Sequence, residues 1–375
     1  MATEYSWSFE WRVGWDLLQD AGLMELWKRL AQSCNYATVF QSPVMTKAWL
    51  DTIGRAERVT PVVLRAVEAS TGSQALLSLC LWPGTVRNLG QRCLLAAGFP
   101  NFDCHVPLVE NAEHHPPLLQ AFWRDLGRHF QSAVRWCDVA AVGRVPQVLG
   151  PPDAPADPST GAPVVALRGL DSLESYLSTR SRSHRGDIGR QMRRLRDRGD
   201  VCLRVFGHVD LGDAREELQG LFNAHRQEWR SRGQRSPFEA HEIRLFYERL
   251  LGDLLPSGVL HLSVLRTGRV SVSWHFGFEC HGVLHYYKPA FSPDYANLSP
   301  GKVHLAMLIE EGIRRGWSRI DLGPGMENYK LLWTSDVLEM SQPVWHTHTF
   351  RNHLRGWAKQ GLARLGVGAS GTPLA

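Results

Sequence analysis

The sequence predicts an α/β fold in which a mixed central sheet carries flanking helices. Three observations predict it. Segments of helical and strand period alternate along the chain, three apolar runs over 259–291 follow one another at hairpin spacing, and a helix and another short strand come directly after them. At 375 residues the chain exceeds one average domain, and a prior of roughly 100 to 200 residues per domain predicts two. With 43% hydrophobic and 21% charged residues, the composition excludes a disordered or fibrous protein.

In the first half, residues 15–32 place Leu17, Leu18, Met24, Leu26, Trp27 and Leu30 at helical spacings, with Gly22 expected to split the segment. Ser42 before Pro43 predicts a capped helix over 43–52. Strand-like runs follow at 60–67, 74–82 and 134–142, with a helix at 116–130. Residues 150–163 hold five Pro and two Gly, which predicts a linker or loop between an N-terminal α/β domain (1–149) and a second domain (164–345). A C-terminal helix and tail are expected over 346–375. In the second domain helices are predicted over 172–177 and on to Arg198, at 211–232, 243–254 and 302–316. Strands are predicted at 201–207, 259–266, 270–279, 283–291 and 319–322.

Charge and cysteine usage narrow the function classes. The net charge of +5 is concentrated in one short stretch, so whole-chain charge alone selects no partner and no DNA-binding role is expected. Seven scattered cysteines without a C-x-x-C pair point to a reduced, cytoplasmic setting. No signal peptide and no run of about 18 apolar residues is found, so the chain is expected to be soluble or at most peripheral to a membrane. His114, His115, His346 and His348 lack acidic or thiol neighbours at ligand spacing, and no metal is expected.

The junction after the third hairpin strand stands out. Strand 283–291 ends, residues 292–300 turn, and a helix opens at Leu298, Ser299, Pro300 and Gly301. A helix N-terminus has free N–H groups and the positive end of a dipole, a cradle suited to a pyrophosphate. Gly301 lets a ligand approach the backbone, Pro300 removes an N–H that would be unpaired anyway, and Lys302 adds a cation. Ordinary capping, with Ser299 as N-cap, is the plainer reading of the same residues.

The residues around this junction resemble a known family. Tyr176 and Leu177 precede an Arg-rich helix; His225 and Trp229 follow; Tyr286 and Tyr287 lead to Phe291, Ser292 and Pro293. Leu298 to Gly301, Gly316, Asp321 to Gly323, Gly325, Tyr329, Lys330 and Trp333 complete the order. Over 171–335 the chain resembles the GNAT-type acetyltransferase domain of the CelD-like family and, more distantly, FemAB-type peptidyltransferases. The resemblance implies a GNAT fold, with 40–145 as a degenerate first half of a tandem pair, and acyl-CoA (acetyl-CoA) as co-substrate. It also implies donor phosphates at the helix near Gly301 and strands 283–291 and 319–322 splaying to admit the acyl arm. The usual Gln/Arg-x-x-Gly-x-Gly/Ala phosphate loop is absent, and Ser299, Pro300 and Gly301 stand in its place.

Acyl transfer to an amine needs a free nucleophile, a polarised carbonyl and a proton for the leaving group. Asp321 ends a short strand before Gly323, at the rim where α/β sites form or simply as a turn organiser. Tyr329 lies where GNAT enzymes supply a tyrosine acid, and Lys330 beside it is a point charge for a phosphate or oxyanion. His225 is the candidate base, with Trp229 on the same helix face. His285, Tyr286 and Tyr287 alternate on a strand, and Tyr287 is placed at the substrate with Trp229 and Arg185. Eight arginines between 180 and 198 put Arg182, Arg185, Arg193 and Arg196 near one stripe, a solvated face or a binding site for CoA phosphates, an anionic saccharide carrier or tRNA. Three readings stay open: acyl-CoA-dependent N-acyltransfer to a small-molecule, sugar or natural-product amine; an aminoacyl-tRNA-dependent transferase; and a non-catalytic binding module.

Overall fold

The computed structural model describes residues 7–84, 92–112, 118, 121–122, 125, 129, 136–138 and 161–340. It forms two compact units, Met1–Pro158 with Glu339–Ala375, and Ser159–Leu338. The histidines at 114, 115, 346 and 348, and the helix and tail expected over 346–375, lie outside the described residues.

In the first unit, β1 (Trp7–Val13), β2 (Thr60–Glu68), β3 (Gln74–Trp82), β4 (Cys93–Ala96) and β6 (Trp136–Asp138) form a sheet in that order, with β5 (Leu108–Val109) beside β3. Neighbours are antiparallel except β4 and β6, which are parallel. Helix α1 (Ala21–Ser33) begins after Asp20, whose side chain accepts the Leu23 N–H. The break in the 15–32 segment therefore falls at Asp20, which caps the start of α1, and Gly22 lies inside the helix. Helix α2 (Pro43–Trp49) starts as its Ser-Pro pair requires, with Ser42 accepting from Met45 N–H.

The second unit runs β7 (Ala162–Ala166), α3 (Leu173–Ser178), α4 (Arg182–Arg196), β8 (Val201–Val205), α5 (Leu211–Ser231), α6 (His241–Leu254), β9 (Leu260–Thr267), β10 (Val270–Cys280) and β11 (Val283–Phe291). It continues with α7 (Pro300–Arg315), β12 (Arg319–Asp321), α8 (Asn328–Leu331) and β13 (Val337–Leu338). Ala162 and Pro163, placed in the linker by composition, open a strand. Pro163 lacks only an N–H, and its carbonyl accepts from Leu322. The expected continuous helix to Arg198 breaks at Thr179–Ser181, where Ser181 caps α4 through the His184 N–H.

The sheet order is β13-β7-β12-β11-β10-β9-β8, and only β11 and β12 pair in parallel. Its successive strands β8 to β12 repeat the plan of β1 to β4 and β6 in the first unit, antiparallel strands ending in one parallel pair. The two units are thus tandem halves of one α/β type. Two helical layers cover the second sheet. Phe222, Phe238 and Tyr247, from α5, α6 and their connection, meet Phe276 and Tyr287 on one face. On the other, Ile188, Leu305, Ile309 and Trp317 pack with Leu284 and Tyr286. Burying each such side chain contributes roughly 1.5–3 kcal/mol. No helix of the described residues is long and apolar enough to cross a membrane.

Candidate active site

The parallel pairing of β11 and β12 covers Val283 with Arg319, Leu284 with Ile320 and His285 with Asp321, and then stops. The chain leaving β12 stays with the neighbouring strand: Leu322 N–H goes to Pro163 O and Gly325 N–H to Gly161 O. From Tyr286 onward, β11 keeps β10 on one side and has no strand on the other among the described residues. A fork opens there, with an edge of main-chain groups that an extended ligand can pair with.

His285 and Asp321 sit at the base of the fork, with Nδ1 3.7 Å from Oδ2 and both side chains largely buried. The other oxygen of Asp321 accepts the Gly323 N–H at 2.9 Å, so this carboxylate organises the turn and faces the fork at once. Burial holds the His285 pKa below the ordinary value, and Asp321 partly offsets that.

A bulge follows directly. The register moves from Phe278 opposite His285 to Phe276 opposite Lys288, so three steps of β11 face two of β10. Gly277 makes this possible: a Cβ there would lie 2.5 Å from His285 O. The extra residue breaks the alternation, so that Tyr287 and Lys288 share one face and Tyr286 takes the other. Tyr286 stacks on His275 at 4.4 Å, on the α7 side. Tyr287 stacks on Tyr247 at 6.1 Å, and the Lys288 ammonium lies 4.6 Å over the Tyr287 ring, both on the α5 side.

At the start of α7, Leu298 is 5% exposed in a core cluster with Leu195, Leu265, Val272 and Val303, so its side chain is not a ligand contact. Ser299 adopts a left-handed conformation (φ 47°, ψ 52°) and makes no side-chain cap, contrary to the capping expectation. Such a conformation costs a non-glycine residue about 1 kcal/mol. Ser299 O accepts the Lys302 N–H at 3.0 Å, and the Gly301 N–H has no acceptor among the described residues. The Lys302 ammonium is paired with Asp187 of α4, which also holds Arg190. Lys302 therefore neutralises a carboxylate beside the helix start and is not a freestanding phosphate ligand. Arg194 reaches the same place, donating to Asn297 O at 2.9 Å.

His225 is 8% exposed, stacked on Trp229 at 5.1 Å, with Nδ1 2.9 Å from Ser236 Oγ. Ser236 Oγ accepts the Phe238 N–H. One hydrogen bond joins Nδ1 and Ser236 Oγ, and its direction follows the ring tautomer. Burial and then the Lys288 charge push the His225 pKa down to about 4, so the ring is neutral at pH 7. The ring is neutral, as a base must be, and burial makes it a weaker base than the sequence leads one to expect.

Lys330 departs furthest from expectation. It is 4% exposed, and its ammonium donates to the carbonyls of Gly323 at 3.1 Å and Pro324 at 2.7 Å. With Glu327 2.9 Å away, its charge ties the loop after β12 together and is not available to substrate. Tyr329 beside it is 47% exposed and near enough to Tyr286 to raise that phenol's pKa further, after burial. Arg185 donates to Ser178 O at 3.1 Å and Arg180 O at 2.9 Å, fastening the turn between α3 and α4. It lies on the α7 face of the sheet, opposite Trp229 and Tyr287, so the three residues expected at the substrate do not meet. Sequence reading missed Lys288 and Ser236 and left His285 without a role. Strict alternation puts Lys288 with Tyr286, and only the bulge brings it to the other face.

Residues 182–331 match the family described as Acetyltransferase (GNAT) domain. The solved structure of FemX is 11% identical, with 84% of this chain and 94% of that chain covered and a TM-score of 0.57. The C-terminal domain of a putative lysylphosphatidylglycerol synthetase from Agrobacterium fabrum is 12% identical over 78% and 86%, with a TM-score of 0.49. A tandem GNAT protein from the clavulanic acid biosynthesis pathway is 12% identical over 90% and 98%, with a TM-score of 0.46. No curated protein matches the chain. The second unit thus carries a GNAT-type acetyltransferase domain.

Proposed function

We propose that this protein transfers an acyl group, in the first place acetyl, from acyl-CoA to an amine of a small molecule, sugar or natural-product intermediate. The fork between β11 and β12 carries the reading: an unpartnered strand edge leads from the start of α7 to a buried histidine and carboxylate. The donor's pantetheine arm pairs with the β11 edge, and its phosphates lie at the Gly301 N–H beside Arg194. The amine enters from the α5 side past Trp229 and Tyr287, where His225 holds it or the acyl oxygen. It attacks the thioester carbonyl, whose oxygen is polarised by a main-chain N–H at the bulge. His285 takes the amine proton, and Asp321 stabilises the imidazolium so formed. The carbon–sulfur bond breaks, and Tyr329 gives the thiolate its proton.

We place the domain, catalytic over 164–345, in the CelD-like branch, and its setting in the cytoplasm, where acyl-CoA is available; the N-terminal half is the degenerate partner. Calorimetry with acetyl-CoA, longer acyl-CoAs and CoA tests the donor. Binding of at least one is expected, and no heat at millimolar concentration from any of them would refute it.

One observation favours a second reading, transfer from aminoacyl-tRNA. Arg182, Arg193, Arg196 and Arg198 are exposed on or just beyond α4, with no ion-pair partner among the described residues. If tRNA is the donor, RNA copurifies and its binding weakens steeply with salt.

A further inference from the structure

We propose that the amine acceptor carries an anionic group, a carboxylate or a phosphate, and that Lys288 holds this group in the cleft between β11 and α5. The inference rests on the acyl-transfer reading above and adds the acceptor's chemical class.

Lys288 reaches the α5 side because of the β11 bulge, which sets it opposite Phe276. It is partly buried, its ammonium lies 4.6 Å over the Tyr287 ring, and it has no carboxylate partner among the described residues. Four acids of the surrounding elements are engaged elsewhere. Glu228 holds Arg232, Glu239 holds Arg230, Glu217 holds Arg266 and the Trp274 indole, and Asp321 faces His285 and the Gly323 N–H. A cation drawn partly out of water without a counter-ion loses hydration that the protein does not return. The tyrosine ring offsets about 0.5–2 kcal/mol of it. An anion brought by the ligand completes the balance.

The donor does not supply that anion. Its pantetheine arm is uncharged where it passes the fork, and its phosphates are assigned to the start of α7. The acceptor side is also where the cation is felt, since Lys288 is close enough to His225 to depress its pKa, and His225 is stacked on Trp229. An acceptor anchored by its anion at Lys288 presents its amine toward His225 and the bulge.

Calorimetry on the full chain with two matched pairs of probes tests this: N-acetylglycine against N-acetylglycinamide, and N-acetylglucosamine 6-phosphate against N-acetylglucosamine. In at least one pair the anionic member is expected to bind about tenfold or more tightly. The pair that shows it distinguishes carboxylate from phosphate. Lys288→Arg should keep the preference, while Lys288→Met and Lys288→Gln, checked for a native melting temperature, should reduce it to within about twofold. Absence of preference in both pairs, no binding of either anion at millimolar concentration, or a preference that survives both neutral replacements overturns the inference. Acetyl-CoA titrated into the same samples separates the two claims. Donor binding without anion preference refutes this inference alone, and anion preference without donor binding refutes only the acyl-CoA reading.

Discussion

Gly301 is the residue at which donor binding can be separated from folding. Its φ is not in the left-handed region, and a Cβ would meet only the Phe291 ring at 3.9 Å, so a side chain is tolerated by the fold. Gly301→Ala is expected to bind acyl-CoA with modest loss, and Gly301→Trp to fold normally and lose donor binding; unchanged affinity in the latter rules out the phosphate site. Tyr329 and Lys330 are sequence neighbours with opposite environments, and their variants should differ in kind. Tyr329→Phe should lower kcat more than donor affinity, and wild-type turnover in this variant would remove it from the mechanism. Lys330→Met should instead destabilise the second unit by about 2 kcal/mol, because loop carbonyls lose a charged donor; chemical denaturation measures this, and an unchanged midpoint contradicts it. Adjacent positions on a short exposed helix give no sequence signal for which one turns inward.

At the scale of elements, the bulged strand β11 organises the site. The hairpin spacing of β9 to β11 and the helix after them are legible because polar and apolar residues keep the strand and helix periods over long runs. The bulge is not, since one extra residue between two aromatic positions leaves the composition unchanged. Gly277 marks it only in retrospect. Gly277→Ala should push His285 O and the bulge apart, lowering kcat/KM by about tenfold or more while the melting temperature falls only a few degrees. A variant with wild-type kcat/KM would mean that the bulge geometry does not bear on catalysis. Helix α4 shows a similar limit. Its arginine run is obvious in the sequence, but Asp187 decides its inner edge by holding Lys302, more than a hundred positions away.

At the scale of the whole molecule, buried neutral histidines couple stability to pH in both units. Burial first of all pushes His105 and His225 down to about 4 and His261 and His304 down to about 3. Unfolded, each titrates near about 6.5, so as pH falls the unfolded chain binds protons that the folded chain refuses. Their contribution is whole at neutral pH, is lost progressively below about 6.5, and stops falling once the folded values are passed near 3 to 4. Carboxylates with depressed values, such as Glu68 at about 2, add to the loss in acid. Melting temperatures measured from pH 8 to pH 4 should fall steadily below about pH 6; a flat profile would show that these rings titrate freely.

What the sequence alone determined is the α/β class, the order of helices and strands from β8 to β12, and the helix start after β11, because these follow from periodicity and from local Ser, Pro and Gly signals. The tertiary structure decided which groups meet. His285 and Asp321 come together across a parallel pair, Lys302 is claimed by Asp187, Lys330 is drawn into its own loop, and Lys288 crosses to the α5 side. Each outcome depends on register and burial between residues distant in the chain or on one irregular step in a strand, and neither quantity is carried by local residue pattern.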